Sequence, residues 1–233
     1  MWLFSLFKRQ PGQPDGEANR ERYLHFRKLG RQFNLTLIRQ LPESALQEAG
    51  KKLGMIKAGT FILNQDDEIA IAYDYSLHHH RRVGKNLIER VAETAPPEAG
   101  SDESIYLAAL RAARFSVFTV DAITSHSAVR LVDQVSGDSI HIMDRSLAST
   151  GLAGLIVAGR LLTLEGFVLS SGSLIPVPPA VYESRIRAVI GKYFPDDASR
   201  GQPLSPARSA AFEAEVLRIA LHAEADVAFY TDD

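Results

Sequence analysis

The chain has 233 residues, of which 45% are hydrophobic, 23% are charged and none is cysteine. That length supports one large domain or two small ones without covalent staples, and the missing thiols exclude a disulfide framework and any thiolate metal site. The formal charge of −2 hides an asymmetry: residues 1–60 hold 11 Lys/Arg against 5 Asp/Glu, and residues 61–233 hold 15 against 23. A basic first quarter can meet an anionic partner or complement the acidic remainder of its own chain, because charge balance bears on association and not on fold.

The opening Met-Trp-Leu-Phe-Ser-Leu-Phe precedes Lys8 and Arg9, the reverse of the charge order of a secretory signal. Trp2, Phe4 and Phe7 could dock on a surface, but a frayed or self-docked terminus is the simpler expectation. Gln10 to Ala18 reads as a linker, so residues 1–18 are expected to be a flexible segment. A helix is predicted from Asn19 to Gln40, with Tyr23, Phe26, Phe33 and Leu37 on one stripe. A second starts near Glu43 or Ser44, buries Leu46, Ala49 and Leu53, and stops at Gly54. Asn64 to Glu68 resembles a capped helix start, continuing through Ile69, Tyr73 and Leu77. Gly84 bends or ends that helix before a short one over Leu87–Glu93. After the break at Ala95–Gly100, Ser101-Asp102-Glu103 caps a helix that reaches Arg114.

The rhythm changes there. Phe115–Val120 is rich in β-formers. Val129–Val132 and Ser139–Ile142 flank the turn Ser136-Gly137-Asp138, and Leu155–Leu164 meets Phe167–Leu169 across Glu165-Gly166, giving two hairpins. The run Leu152–Leu164 is interrupted by Arg160 and falls short of the roughly 20 residues a membrane helix needs. Pro176–Pro179 closes the sheet region; helices from Ala180 to Tyr193 and from Ser205-Pro206 to near His222 lead to an acidic tail. The predicted class is α+β: a mainly helical region (19–114), a small antiparallel β-sheet or barrel module (115–179), and C-terminal helices (180–233).

Candidate chemistry is sparse. His78-His79-His80 cannot converge on one ion from a helix, whereas Asp74 and His78, four apart, share a face; two ligands are fewer than zinc requires, and the bland reading is a helix end whose dipole favours cations. A metal-dependent enzyme using Asp74 and His78 is therefore an alternative, not the preferred reading. No serine elbow or phosphate-binding loop is present, and Asp66-Asp67 and Asp196-Asp197 suit capping and loop solvation. Arg20, Arg22, Arg27, Lys28, Arg31 and Arg39 on the first helix allow a nucleic-acid alternative, although they do not all share one face. Asp144-Arg145-Ser146 at a strand end is similar to part of the PilZ β-barrel pattern. Lys85 stands where that pattern wants a second arginine after Arg81, however, and Ser149 stands in place of its glycine.

From about Leu41 to Pro179 the chain resembles a group of uncharacterised bacterial proteins with no established activity. The resemblance is carried by Leu53-Gly54 through Gly59-Thr60, Asp67-Glu68 with Tyr73-Asp74-Tyr75 and Arg82, and Gly100–Glu103 leading to Ala113–Ser116. It continues in Asp144-Arg145-Ser146 and Gly166–Leu169. It implies a bacterial, cytoplasmic origin and transfers no functional residue. The expected function is that of a non-catalytic binding or scaffold protein with a protein partner and no assigned cofactor or oligomeric state. Its expected binding surface lies where the β-module meets the preceding helix: Tyr73, Asp74, His78, Arg82, Arg114, Asp144 and Arg145. Arg82, Arg114 or Arg145 is expected to pair with Asp74 or Asp144, with a purely structural ion network as the alternative.

Overall fold

The computed structural model describes residues 17–63 and 68–228. The expected flexible segment, apart from Glu17 and Ala18, lies outside them, as do the Asn64–Asp67 helix start and the last five residues of the tail.

Helix α1 (Glu17–Ile38) buries Tyr23, Phe26 and Leu37, three members of the predicted stripe, while Phe33 is half-buried. Helix α2 (Glu43–Leu53) ends on Gly54 at φ 75°, the left-handed cap predicted for it, and its amide meets the carbonyls of Gly50 and Lys51. A two-residue hairpin that was not anticipated follows, β1 (Ile56–Lys57) paired with β2 (Thr60–Phe61). Its turn residues, Ala58 and Gly59, both have positive φ, the conformation that the twist of a tight hairpin demands. Strands this short carry no readable alternation.

Helix α3 (Glu68–His79) is followed by a turn through Val83 and Gly84, then by α4 (Leu87–Thr94). A full capping box starts α4: the Asn86 side chain accepts from the Glu89 amide, and the Glu89 carboxylate accepts from the Asn86 amide. Helix α5 (Asp102–Ala112) opens on the Ser101 hydroxyl as predicted.

The chain then becomes a closed barrel. Strands β3 (Arg114–Ile123), β4 (Ala128–Asp133), β5 (Ser139–Met143), β7 (Phe167–Ser170) and β6 (Ile156–Leu164) follow one another around it, and β6 returns to pair with β3. Both predicted hairpins are present. The seam is β5–β7, a parallel contact with the single partner pair Met143↔Leu169. Strand β8 (Ile175–Val177) adds to the outer side of β6, with Pro176 opposite Val157; an edge position tolerates a proline that cannot donate. The predicted end of the sheet region is thus itself a strand. Helix α6 (Arg145–Ser149), capped by Asp144, is a further element absent from the sequence reading.

Three apolar cores result. Phe118, Val120, Leu131, Ile142, Val157 and Leu161 fill the barrel with α6 residues Leu147 and Ala148. Outside it, α1, α4 and α5 pack on Leu162, Leu164, Phe167 and Leu169. On another outer face, α2, α3 and the C-terminal helices cover Phe115, Val117, Ile156 and Ala158. Strand β6 is therefore buried on both faces, which explains why its sequence runs apolar without alternation. The C-terminal helical segment begins with α7 (Pro179–Val181), passes through a π-helical turn (Tyr182–Ile186) and continues as α8 (Arg187–Tyr193); α9 (Pro206–Ala228) extends six residues past its predicted end at His222.

Candidate functional site

Arg160 lies in the outward-facing row of β6 between Ala158 and Leu162, under α3 and α9, with its side chain 2% exposed. A guanidinium there needs carboxylate partners, because burying a charge without them costs several kcal/mol or more. Two are present. Arg160 Nε donates to Asp74 Oδ2 of α3 at 2.9 Å, and Nη2 donates to Glu213 Oε2 of α9. His79 Nε2 lies 2.7 Å from the same Glu213 oxygen and 3.1 Å from Arg160 Nη2. Tyr75 stacks at a tilt on His79 and donates its hydroxyl to the Ala210 carbonyl at 3.1 Å. Burial works against the charge on Glu213, but Arg160 and His79 outweigh it and hold the carboxyl below its ordinary 4.5. Burial wins at Asp74, which rises above its ordinary 3.8 despite Arg160. Glu213 Oε1 has no hydrogen-bond partner among the described residues.

Beside this network a cavity of about 450 Å³ opens between α1, α3, α5 and the segment Leu169–Ser173. Asp74 belongs to both, since it is held by Arg160 and also lines the cavity. The wall from α1 carries Arg27 and Arg31, one helical turn apart and hence on one face. Arg27 Nη1 donates to the carbonyl and hydroxyl of Ser170 at 3.0 and 3.3 Å, and Ser170 in turn donates to Asp144 Oδ2 at 2.6 Å. Tyr73 and Tyr106 also line the cavity, and burial pushes the Tyr106 phenol up to about 12. Gly30 is required on α1, because a Cβ there would sit 2.7 Å from the Tyr106 ring. The Ser171 hydroxyl, on the cavity wall, is buried without a hydrogen-bond partner among the described residues.

Of the seven residues read from the sequence, Tyr73 and Asp74 line this cavity and Asp144 backs it through Ser170. His78 is buried nearby with an unpartnered Nε2; burial, then Arg160 and His79, lower its pKa well below the ordinary 6.5. Arg82 and Arg145 are exposed and pair with neither carboxylate; Arg82 instead exchanges backbone hydrogen bonds with Lys85. Arg114, also exposed, donates to the Gly201 carbonyl at 3.1 Å. The expected pairing of these arginines with Asp74 or Asp144 is thus corrected: Arg160 takes Asp74, while the Ser170 hydroxyl and the Leu147 amide take Asp144. Arg82, Arg114 and Arg145 stand at turns and strand ends where water solvates a cation, so they gain little from a buried partner.

The basic residues of α1 are divided. Arg22 faces Glu165 at 3.5 Å, Arg27 and Arg31 face the cavity, and Arg20, Lys28 and Arg39 are exposed. Among the described residues, no group of three or more His, Asp and Glu side chains is placed to hold a metal ion, and no helix is long and apolar enough to cross a membrane.

A family model described as a family of unknown function (DUF7986) matches residues 17–192. No curated protein and no solved structure matches the chain.

Proposed function

We propose that this chain, which belongs to the family of unknown function DUF7986, is a non-catalytic bacterial binding protein of the cytoplasm whose ligand sits in the cavity between α1, α3 and the barrel. The cavity carries the reading. Its 450 Å³ falls within the range of small-molecule sites, roughly 300–1,000 Å³, and it combines an apolar lining with a few convergent polar groups. The acids that could serve as bases in a reaction are committed elsewhere: Asp74 and Glu213 to Arg160, and Asp144 to capping α6. A scaffold role towards a protein partner draws on exposed apolar side chains at turns, Val83 at 101% and Leu152 at 57% exposure.

The test is a thermal-shift screen of small metabolites on the full chain, repeated on Ala70→Phe. Ala70 is exposed on α3 at the cavity lining, so the added ring fills the opening without disturbing a core. A true ligand raises the midpoint in proportion to the logarithm of its concentration over Kd and loses that effect in the variant. Stabilisation that is identical in the two proteins rules the cavity out as the site.

A further inference from the structure

The polar groups of the cavity are unequal in what they still have to offer. Arg27 spends Nη1 on Ser170, and its Nε and Nη2 have no hydrogen-bond partner among the described residues. Arg31 is exposed at the rim and makes no ion pair or hydrogen bond among the described residues. Facing them, Asp74 already accepts from Arg160, and its burial disfavours a free negative charge. Among the described residues that line the cavity, two guanidinium groups are thus set against the Asp74 carboxylate, which Arg160 already matches, while Asp144 stands behind the wall and is taken up by Ser170 and the Leu147 amide. The buried Ser171 hydroxyl adds a donor without a partner among the described residues. A buried hydroxyl without a partner is destabilising, and an acceptor brought by a ligand removes that cost. The lining also carries the apolar side chains Phe26, Ile38, Leu77 and Leu169.

Resting on the reading of this cavity as the binding site, we infer that its ligand is a small amphiphilic anion. A carboxylate or phosphate headgroup is held by Arg27, Arg31 and the Ser171 hydroxyl, and an apolar body lies against Phe26, Ile38 and Leu77. Arginine suits either headgroup because its planar fork meets two oxygens at once. The four-residue spacing on α1 lets both forks approach the same group from one side. The apolar lining rejects a bare inorganic anion, which would leave that surface wetted and unused.

Octanoate, octyl phosphate and octanol share a tail and differ in the head, so calorimetric titration of the three into the full chain separates the contributions. Both anions are expected to bind at least about tenfold more tightly than octanol, the ratio one or two charge-assisted hydrogen bonds supply; the tighter of the two identifies the headgroup. Arg31→Gln, an exposed substitution that leaves the fold intact, should weaken the anions about tenfold and leave octanol unchanged. Inorganic phosphate should bind more weakly than octyl phosphate. Octanol binding as tightly as octanoate, or anions indifferent to Arg31→Gln, overturns the ligand class but leaves the cavity as a binding site. Failure of all three compounds to bind also overturns the ligand class, while the cavity reading is decided separately by the Ala70→Phe screen.

Discussion

Arg160 and Glu213 are nearly inaccessible, and each is the other's main compensation. Arg160→Met therefore does more than remove a hydrogen bond. It leaves Glu213 charged, buried and beside a second acid, which should cost about 3–5 kcal/mol. Combining it with Glu213→Leu should recover a large part of the loss, a comparison that urea unfolding of the two variants decides. Titration adds a second handle. The depressed Glu213 contributes stability that is fully present above its ordinary 4.5 and is lost as pH falls through its folded value, whereas the raised Asp74 acts in the opposite direction above 3.8. His78 operates at milder pH. Its folded pKa lies well below 6.5, so below pH 6.5 the unfolded chain binds the proton and the folded chain does not. Stability should fall with acidification by up to about 1.4 kcal/mol per pH unit, and His78→Gln should flatten that slope between pH 6.5 and 5.5. Val83 is a different kind of anomaly: a β-branched residue at φ 52°, fully exposed, in the turn between α3 and α4. Nothing packs on it to repay the backbone strain of about 1–2 kcal/mol. Val83→Asn is expected to raise the unfolding midpoint, with a gain of about 1 kcal/mol.

Elements that announce themselves locally were legible from the residues. The stop at Gly54, the Ser101 cap and the Ser136-Gly137-Asp138 turn each depend on neighbours in sequence, and each is found where its residues stand. Strand β6 shows the limit. Its apolar run reads as a hairpin strand, which it is, but its burial on both faces is not anticipated and Arg160 reads as an interruption until α3 and α9 are folded over it. Its partners lie 86 and 53 residues away, beyond any spacing rule. A lone arginine inside an apolar strand was the available signal, since such a residue must find carboxylates somewhere. The cavity was half visible: Tyr73 and Asp74 belong to the surface expected where the β-module meets the preceding helix, while Arg27 and Arg31 entered only among the α1 cations of the nucleic-acid alternative, because nothing local reveals that α1 packs beside α3 and the Leu169–Ser173 segment. The capping box of α4 offers a check on an element whose start was placed correctly. Asn86 also donates to the His78 carbonyl at 2.9 Å, so Asn86→Ala loses both contacts and should cost about 1–2 kcal/mol in chemical unfolding.

The barrel is closed unevenly. Six partner pairs join β3 to β6, against one for β5 and β7. Opening should begin at the weak seam, so amides of β5 and β7 are expected to exchange with deuterium faster than those of β3 under native conditions. Uniform protection around the barrel would contradict this. The helices brace the seam from outside: Met143 and Leu169, the seam pair, lie in the core that α1 and α5 complete.

That Glu213 lies beyond the family-matched stretch, which stops at residue 192, has a practical consequence for dissecting the molecule. A fragment cut at that limit would retain the guanidinium of β6 and discard the acid that neutralises it, together with the apolar side of α9. Such a truncation should associate or aggregate in place of folding autonomously, which size-exclusion chromatography of the 17–192 fragment beside the full chain would show.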